Sequence, residues 1–209
     1  MMKSTDYHDY VLKNGKLIGD FEGMYKFSSE LPWHQDTTAY WINANILLEL
    51  ISSFQPYESI CEIGCGLGYF SDRLQNKLVN SKITGYDISS TAIIKARERF
   101  PKITFEQMDI TKESRKQFDC VICKEIMWYI FPHLNQVLIN LNKMLPDNGI
   151  LCISQYFPSN PDYVGHEVIK NSEHLRDIFQ KDYELLYFGK HFSKETKFEE
   201  VVDIIYSKK

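Results

Sequence analysis

The residues best placed to do chemistry lie in "SICEIGCGLGYFSDRLQ", Ser59 to Gln75. Gly64, Gly66 and Gly68 alternate between an apolar, β-prone run and a helical pattern. Glycines at such a junction let something come very close to the backbone. The phosphate loop GxxxxGK followed by Ser or Thr is absent, and GxGxG is one residue shorter than the dinucleotide pattern GxGxxG. Glu62 stands two places before the first glycine. A carboxylate there opposes a pyrophosphate but suits an amino group. Cys120 and Cys123 form a CxxC inside the strand-like run "FDCVICKE", where residues three apart face opposite sides. No second CxxC or paired His motif completes a metal site, so these read as small buried thiols.

Alternating elements must position these groups. The first 35 residues read as irregular and aromatic-rich, with Phe21, Tyr25, Phe27 and Trp33. "DTTAYWINANILLELISSF" reads as one helix with Asp36 as its N-cap. From Ser59, strands and helices alternate through "KITGYDI", "SSTAIIKARERF", "KITFEQMDI", "FDCVICKE", "HLNQVLINLNKML" and "ILCISQYF". That pattern argues for a parallel sheet with helices on both faces. After a helix at "SEHLRDIFQ", the runs "YELLYFGKHF" and "FEEVVDIIYS" are joined by the short "SKETK" and should pair antiparallel.

The totals limit the function. The chain has 209 residues, 44% of them hydrophobic, with 28 acidic against 24 basic residues and a formal net charge of -4. The basic groups are scattered, which disfavours a nucleic-acid partner. No apolar run is long enough to span a membrane, and the polar start "MMKSTDYHDY" lacks a signal peptide's apolar stretch. A cytoplasmic protein is expected, and five cysteines lying mostly in apolar runs fit that.

"CEIGCGLG" resembles the first motif of class I S-adenosylmethionine-dependent methyltransferases, the acidic-x-Gly-x-Gly-x-Gly loop. Three further stretches match in order: "ITGYDIS", "FEQMDIT" and "LPDNGILCIS", the last with Asp147-Asn148-Gly149 where the family usually writes Pro-Gly-Gly. The resemblance covers about residues 55 to 160. It implies an α/β, Rossmann-like, doubly wound sheet of seven strands, mostly parallel and ending in an antiparallel hairpin. It divides the chain into a cofactor lid over residues 1–35 and a methyltransferase domain over 36–209. It implies S-adenosylmethionine as cofactor, S-adenosylhomocysteine as product, and no metal. Asp87 would bind both ribose hydroxyls and Asp109 the adenine amino group. Ile88 and Met108 would sandwich the ring, and Glu62 would face the cationic end. Gly64, Cys65, Gly66, Gly68, Ile110 and Lys124 complete the implied cofactor contacts. Asp87 and Asp109 have a second reading as helix caps, and Met108 a second reading as core.

"KEIMWYI" resembles the Glu-x-x-x-Tyr segment of NodS-like and sugar-modifying members of this family, and "LPWHQD" their Pro-Trp segment. That finer likeness implies a saccharide or another small polar metabolite as acceptor; the sequence leaves monomer and homodimer both open. A hydroxyl acceptor needs a positioned base, whereas an amine need only arrive neutral. Glu125 and His34 are the base candidates, with His133 and His166 behind them. Trp33, Tyr129, Tyr156 and His166 are expected to border the acceptor, with Phe157 near them. The rival readings are a protein or nucleic-acid methyltransferase and a cofactor-binding module without turnover.

Overall fold

The computed structural model describes residues 4–209 except 14, 115, 161, 162 and 198. Its main sheet takes seven strands in chain order: β1 Ser59–Ile63, β2 Lys82–Asp87, β3 Thr104–Gln107, β4 Cys120–Lys124, β5 Ile150–Phe157, β6 Tyr183–Phe192 and β7 Glu200–Lys208. Their spatial order is β3-β2-β1-β4-β5-β7-β6. The first five are parallel, and β7 runs antiparallel between β5 and β6. The seven-stranded sheet with its antiparallel end is as the sequence implied. Phe198, the first residue of the expected last strand, lies outside the described residues.

Six helices matter for the site: α1 Phe21–Phe27, α2 Ile42–Ser53, α3 Tyr69–Lys77, α4 Ser90–Arg99, α5 Leu134–Lys143 and α6 Ser172–Phe179. Strand alternation sorts their contacts. Ile60, Ile122, Cys152 and Ile205 pack with Leu47 of α2, Leu74 of α3 and Ile93 of α4. Cys61, Val121, Ile153 and Ile204 pack on the other face with Leu141 of α5 and Leu175 of α6. Cys120 and Cys123 are both buried, one on each face, as their spacing predicts. Truncating Leu47, which is fully buried, to Ala should cost about 2–5 kcal/mol.

The first forty residues depart from the expectation. They hold α1, whose N-cap Asp20 accepts from the Gly23 N–H at 2.8 Å, and a small hairpin at Leu12–Lys13 and Lys16–Leu17. The long helix begun by Asp36 is two pieces instead, Gln35–Thr38 and α2. Trp41 takes the N-cap position of α2 in an extended conformation, which breaks the helical run, and Asp36 is exposed. The apolar periodicity was real, but the chain is extended at Trp41, with Ala39 and Trp41 facing the cavity and Tyr40 exposed. Strand β3 is also shorter than its pattern, so Met108 and Asp109 follow it in a loop.

Candidate active site

The glycine loop is held by its neighbours. The N–H groups of Gly64 and Cys65 both donate to the Tyr86 carbonyl, at 2.7 and 2.9 Å. Gly68 has φ 83°, and a Cβ there would stand 2.6 Å from the Phe105 ring. No other residue fits both restraints. Asp87 ends β2 with its carboxylate buried; Oδ2 accepts the Gly66 N–H and Oδ1 the Ser89 N–H, each at 2.9 Å. Burial pushes its carboxyl up to about 6, against the pull of those two bonds. It therefore shapes the loop as well as facing the cavity.

One cavity of about 760 Å³ lies over the carboxyl ends of the strands. That is within the usual range for a small-molecule site. At one end it is lined by Glu62, Gly64, Cys65, Asp87, Ile88, Met108, Asp109 and Ile110. At the other it is lined by Trp33, His34, Lys124, Glu125, Tyr129, His133 and Tyr156. Residues far apart in sequence are thus gathered round one space. Apolar walls at Ile88, Met108 and Ile110 stand beside carboxylate acceptors at Asp87 and Asp109, an arrangement that fits the ring, hydroxyls and amino group of an adenosine. Asp109 also caps its own loop, with Oδ1 accepting from the Thr111 N–H at 3.0 Å and Oδ2 paired with Lys112 at 2.8 Å. Burial pushes its carboxyl up, but the Lys112 and Thr111 bonds outweigh this and hold it below its ordinary value.

Glu62 is buried on β1 and accepts a hydrogen bond from the Ser71 hydroxyl of α3. Burial pushes it up to about 7, with Ser71 and Lys124 pulling the other way. A buried carboxyl of this kind gains most from an arriving ammonium, which restores its charge.

Glu125 follows β4 with φ 58°, a conformation that costs a non-glycine residue about 1–3 kcal/mol and marks functional positions. Its N–H donates to the Ser154 carbonyl at 2.8 Å, and its Oε2 accepts from the Tyr156 N–H at 2.9 Å. The carboxyl is fixed at the tip of the sheet, and burial pushes it up to about 7 while Lys124 pulls it back. This suits a base working near neutral pH. His34 is exposed and left-handed at φ 47°, next to Trp33 at φ 52°. The Trp33 ring lies 5.7 Å from that of Tyr129, and Phe21 lies 5.3 Å from Tyr129.

Three expectations are not met by this geometry. His166 does not line the cavity; it stands against Tyr163 on the loop beyond β5, with ring centroids 5.5 Å apart. Phe157 is turned into the core, 5.1 Å from the Trp128 ring. Gly66 and Gly68 do not line the cavity either. The Cα face of Gly66 is covered by Gln35 and by the Tyr25 hydroxyl, which a Cβ would meet at 2.5 and 2.6 Å.

Several residues that line or support the site have no pattern that marks them in the sequence. Gln35 Oε1 accepts the Leu67 N–H, and its amide donates to Tyr25 Oη at 2.9 Å. Glu22 Oε2 accepts from the Ser89 hydroxyl at 2.7 Å and from the Thr91 N–H at 3.1 Å, at the start of α4. Asn43, Glu195, Thr196 and Lys197 also line the cavity. A polar residue near an aromatic segment gives no period to find, so only the fold reveals these.

A family model described as a methyltransferase domain matches residues 55–201. The trans-aconitate 2-methyltransferase of Deinococcus radiodurans is 28% identical over 138 residues, 66% of this chain and 52% of that protein. Nodulation protein S of Sinorhizobium fredii is 25% identical over 148 residues, 68% of each chain. The chain thus spans about half the length of the trans-aconitate relative. Among solved structures, the N-methyltransferase NodS from Bradyrhizobium japonicum in complex with S-adenosylhomocysteine has a TM-score of 0.68 at 19% identity, covering 86% of this chain and 89% of that one. At that identity the likeness is one of fold. The family match runs through the strands and loops that build the cavity, and the chain belongs to the class I S-adenosylmethionine-dependent methyltransferases.

Proposed function

We propose that the protein transfers a methyl group from S-adenosylmethionine to an oxygen or nitrogen of a small polar acceptor, and that the acceptor is a saccharide or sugar-linked metabolite. The supporting observation is that one cavity joins the Glu62–Asp87–Asp109 end to the Glu125–Tyr129–Tyr156 end. The cofactor supplies an electrophilic methyl on a sulfonium. Asp87 and Asp109 hold the adenosine, with Ile88, Met108 and Ile110 as its walls. Glu62 takes the amino group. Glu125 accepts the acceptor's proton, and Trp33, Tyr129 and Tyr156 offer ring faces for a sugar to stack on. The chain's work is mainly to align and desolvate the reacting groups. In this reading residues 1–35 are a lid, no metal takes part, and neither nucleic acid nor membrane is a partner. Among the described residues no helix is long and apolar enough to cross a membrane.

The test is a transfer assay with labelled S-adenosylmethionine and a panel of amino sugars, sugar nucleotides and carboxylic acids such as trans-aconitate. Methylation of sugars supports the reading. Methylation confined to the carboxylic acids would replace the acceptor class but keep the chemistry. Binding without any transfer would leave a cofactor-binding module.

A further inference from the structure

Three of the buried residues whose polar atoms lack a partner, Ser154, His191 and Asp203, lie together on β5, β6 and β7. Among the described residues such atoms are Asn43 Oδ1, Ser154 Oγ, Tyr183 Oη, His191 Nε2 and both carboxylate oxygens of Asp203. Each such group ordinarily costs about 1–3 kcal/mol, and each asks for an explanation. Ser154 and Asp203 are register partners across β5 and β7, so they share a face of the sheet. His191 comes from β6 beside them, its Nδ1 3.5 Å from Asp203 Oδ2. Burial holds that imidazole below its ordinary value, which disfavours the charged form that would balance the carboxylate.

The same row continues to Lys124, the register partner of Ser154 on β4. With strands ~4.8 Å apart, the Lys124 and Asp203 backbones stand about 10 Å from each other across Ser154. On the other side is Glu62, opposite Ile122 on β1 and hence on the same face as Lys124. The Lys124 ammonium leans toward that side, 5.7 Å from the centre of the Phe70 ring of α3. Among the described residues it makes no ion pair. Lys124 is therefore one flexible cation between buried carboxyls at Glu62, Glu125 and Asp203. Burial pushes each of these up to about 7; Ser71 at Glu62 and Ser154 at Asp203 pull back first, and Lys124 pulls on all three.

We propose that Ser154 and Asp203 form a second seat for the Lys124 ammonium, taken up when S-adenosylmethionine binds. The device then distinguishes a sulfonium from a thioether. The inference rests on the cofactor reading above. The cofactor carries a sulfonium and an ammonium against one carboxylate, and in that reading its ammonium goes to Glu62. A lysine beside Glu62 is then repelled, while an unpaired carboxylate lies within reach of its long stem. The product, S-adenosylhomocysteine, has lost the sulfonium charge, so the drive to hold Lys124 at Asp203 falls. Asp203 acts here as a positioning residue, through Lys124.

The test is calorimetric titration of both cofactors into the wild type, Asp203→Asn, Lys124→Met and the double variant. Asp203→Asn should weaken S-adenosylmethionine about tenfold relative to S-adenosylhomocysteine, because Lys124 stays near the sulfur. Lys124→Met should shift the ratio toward S-adenosylmethionine, and the double variant should match it. Equal weakening of both cofactors by Asp203→Asn in both backgrounds would make Asp203 merely structural and overturn the proposal. So would an unchanged ratio in Lys124→Met. If Asp203→Asn does not fold, Ser154→Ala carries the same comparison, with a ratio change of about threefold expected and no change overturning it. Wild-type protein that binds neither cofactor defeats the cofactor reading itself, and this inference with it.

Discussion

Gln35 Oε1 accepts the backbone N–H of Leu67 at 2.8 Å, fastening the N-terminal segment to the glycine loop. Tyr25 and Gln35 hold each other at 2.9 Å over Gly66, so the fastening has two points. Glu22 adds a third at the start of α4. The segment is thus bonded to two of the three loops that carry the candidate cofactor residues, those after β1 and β2.

Gln35→Leu should therefore loosen the segment without unfolding the sheet. Limited proteolysis should cut before residue 40 faster than in the wild type, and S-adenosylmethionine affinity should fall about tenfold. Unchanged cleavage would show that the Glu22 bonds and the aromatic packing of Trp33 hold it down without Gln35.

Asp87→Ala removes the acceptor for Gly66 as well as the expected ribose contact. It should lose most cofactor affinity, by about thirtyfold or more in calorimetry. Affinity within a few-fold of wild type would refute the ribose role.

Glu125 and His34 make different predictions. Glu125→Gln should lower kcat about a hundredfold and abolish a rise in rate with pH centred near 7, where its carboxyl ionises. His34→Ala should leave that rise in place. The reverse pattern in the two pH profiles would move the base to His34.

Buried carboxyls give stability an acid-side optimum. Burial raises Asp87 to about 6 and Glu62, Glu125 and Asp203 to about 7. Their contribution is full below about pH 4, their unfolded range, and is lost as pH rises through 6 to 7. Glu22 works the other way. Hydrogen bonds from Thr91 and Ser89 outweigh its desolvation and hold it at about 2, so its contribution is present above its usual 4.5 and lost as pH falls toward 2. Melting should be about 5 °C lower at pH 8 than at pH 5.5. A flat profile across that range would mean that these carboxyls ionise at ordinary values.

Much of this was legible in the sequence, for a physical reason. β5 is buried on both faces and reads as a continuous apolar run, and the edge strand β6 reads as an aromatic, β-prone run that a short turn joins to β7, so both their bounds and the hairpin are legible. The cofactor end was readable because Gly64, Gly68 and Asp87 sit at fixed offsets from strand ends. The acceptor end was readable only in part: the resemblance pointed to Trp33, Glu125, Tyr129 and Tyr156, while Asn43 and Thr196 come from separated segments that border one cavity only when the chain is folded. Asp36 misled because capping chemistry and apolar spacing agreed locally, while the path of the chain over the cavity broke the helix at residues 39–41.

The position of β7 sets the order in which the molecule can be built. Residues 200–208 fill a slot between β5 and β6, two strands already made by then. While a nascent chain lacks them, β5 exposes an unpaired edge and β6 has no neighbour. The sheet therefore closes only after residue 208 has left the ribosome, and until then the open edge of β5 is the surface that a chaperone must shield.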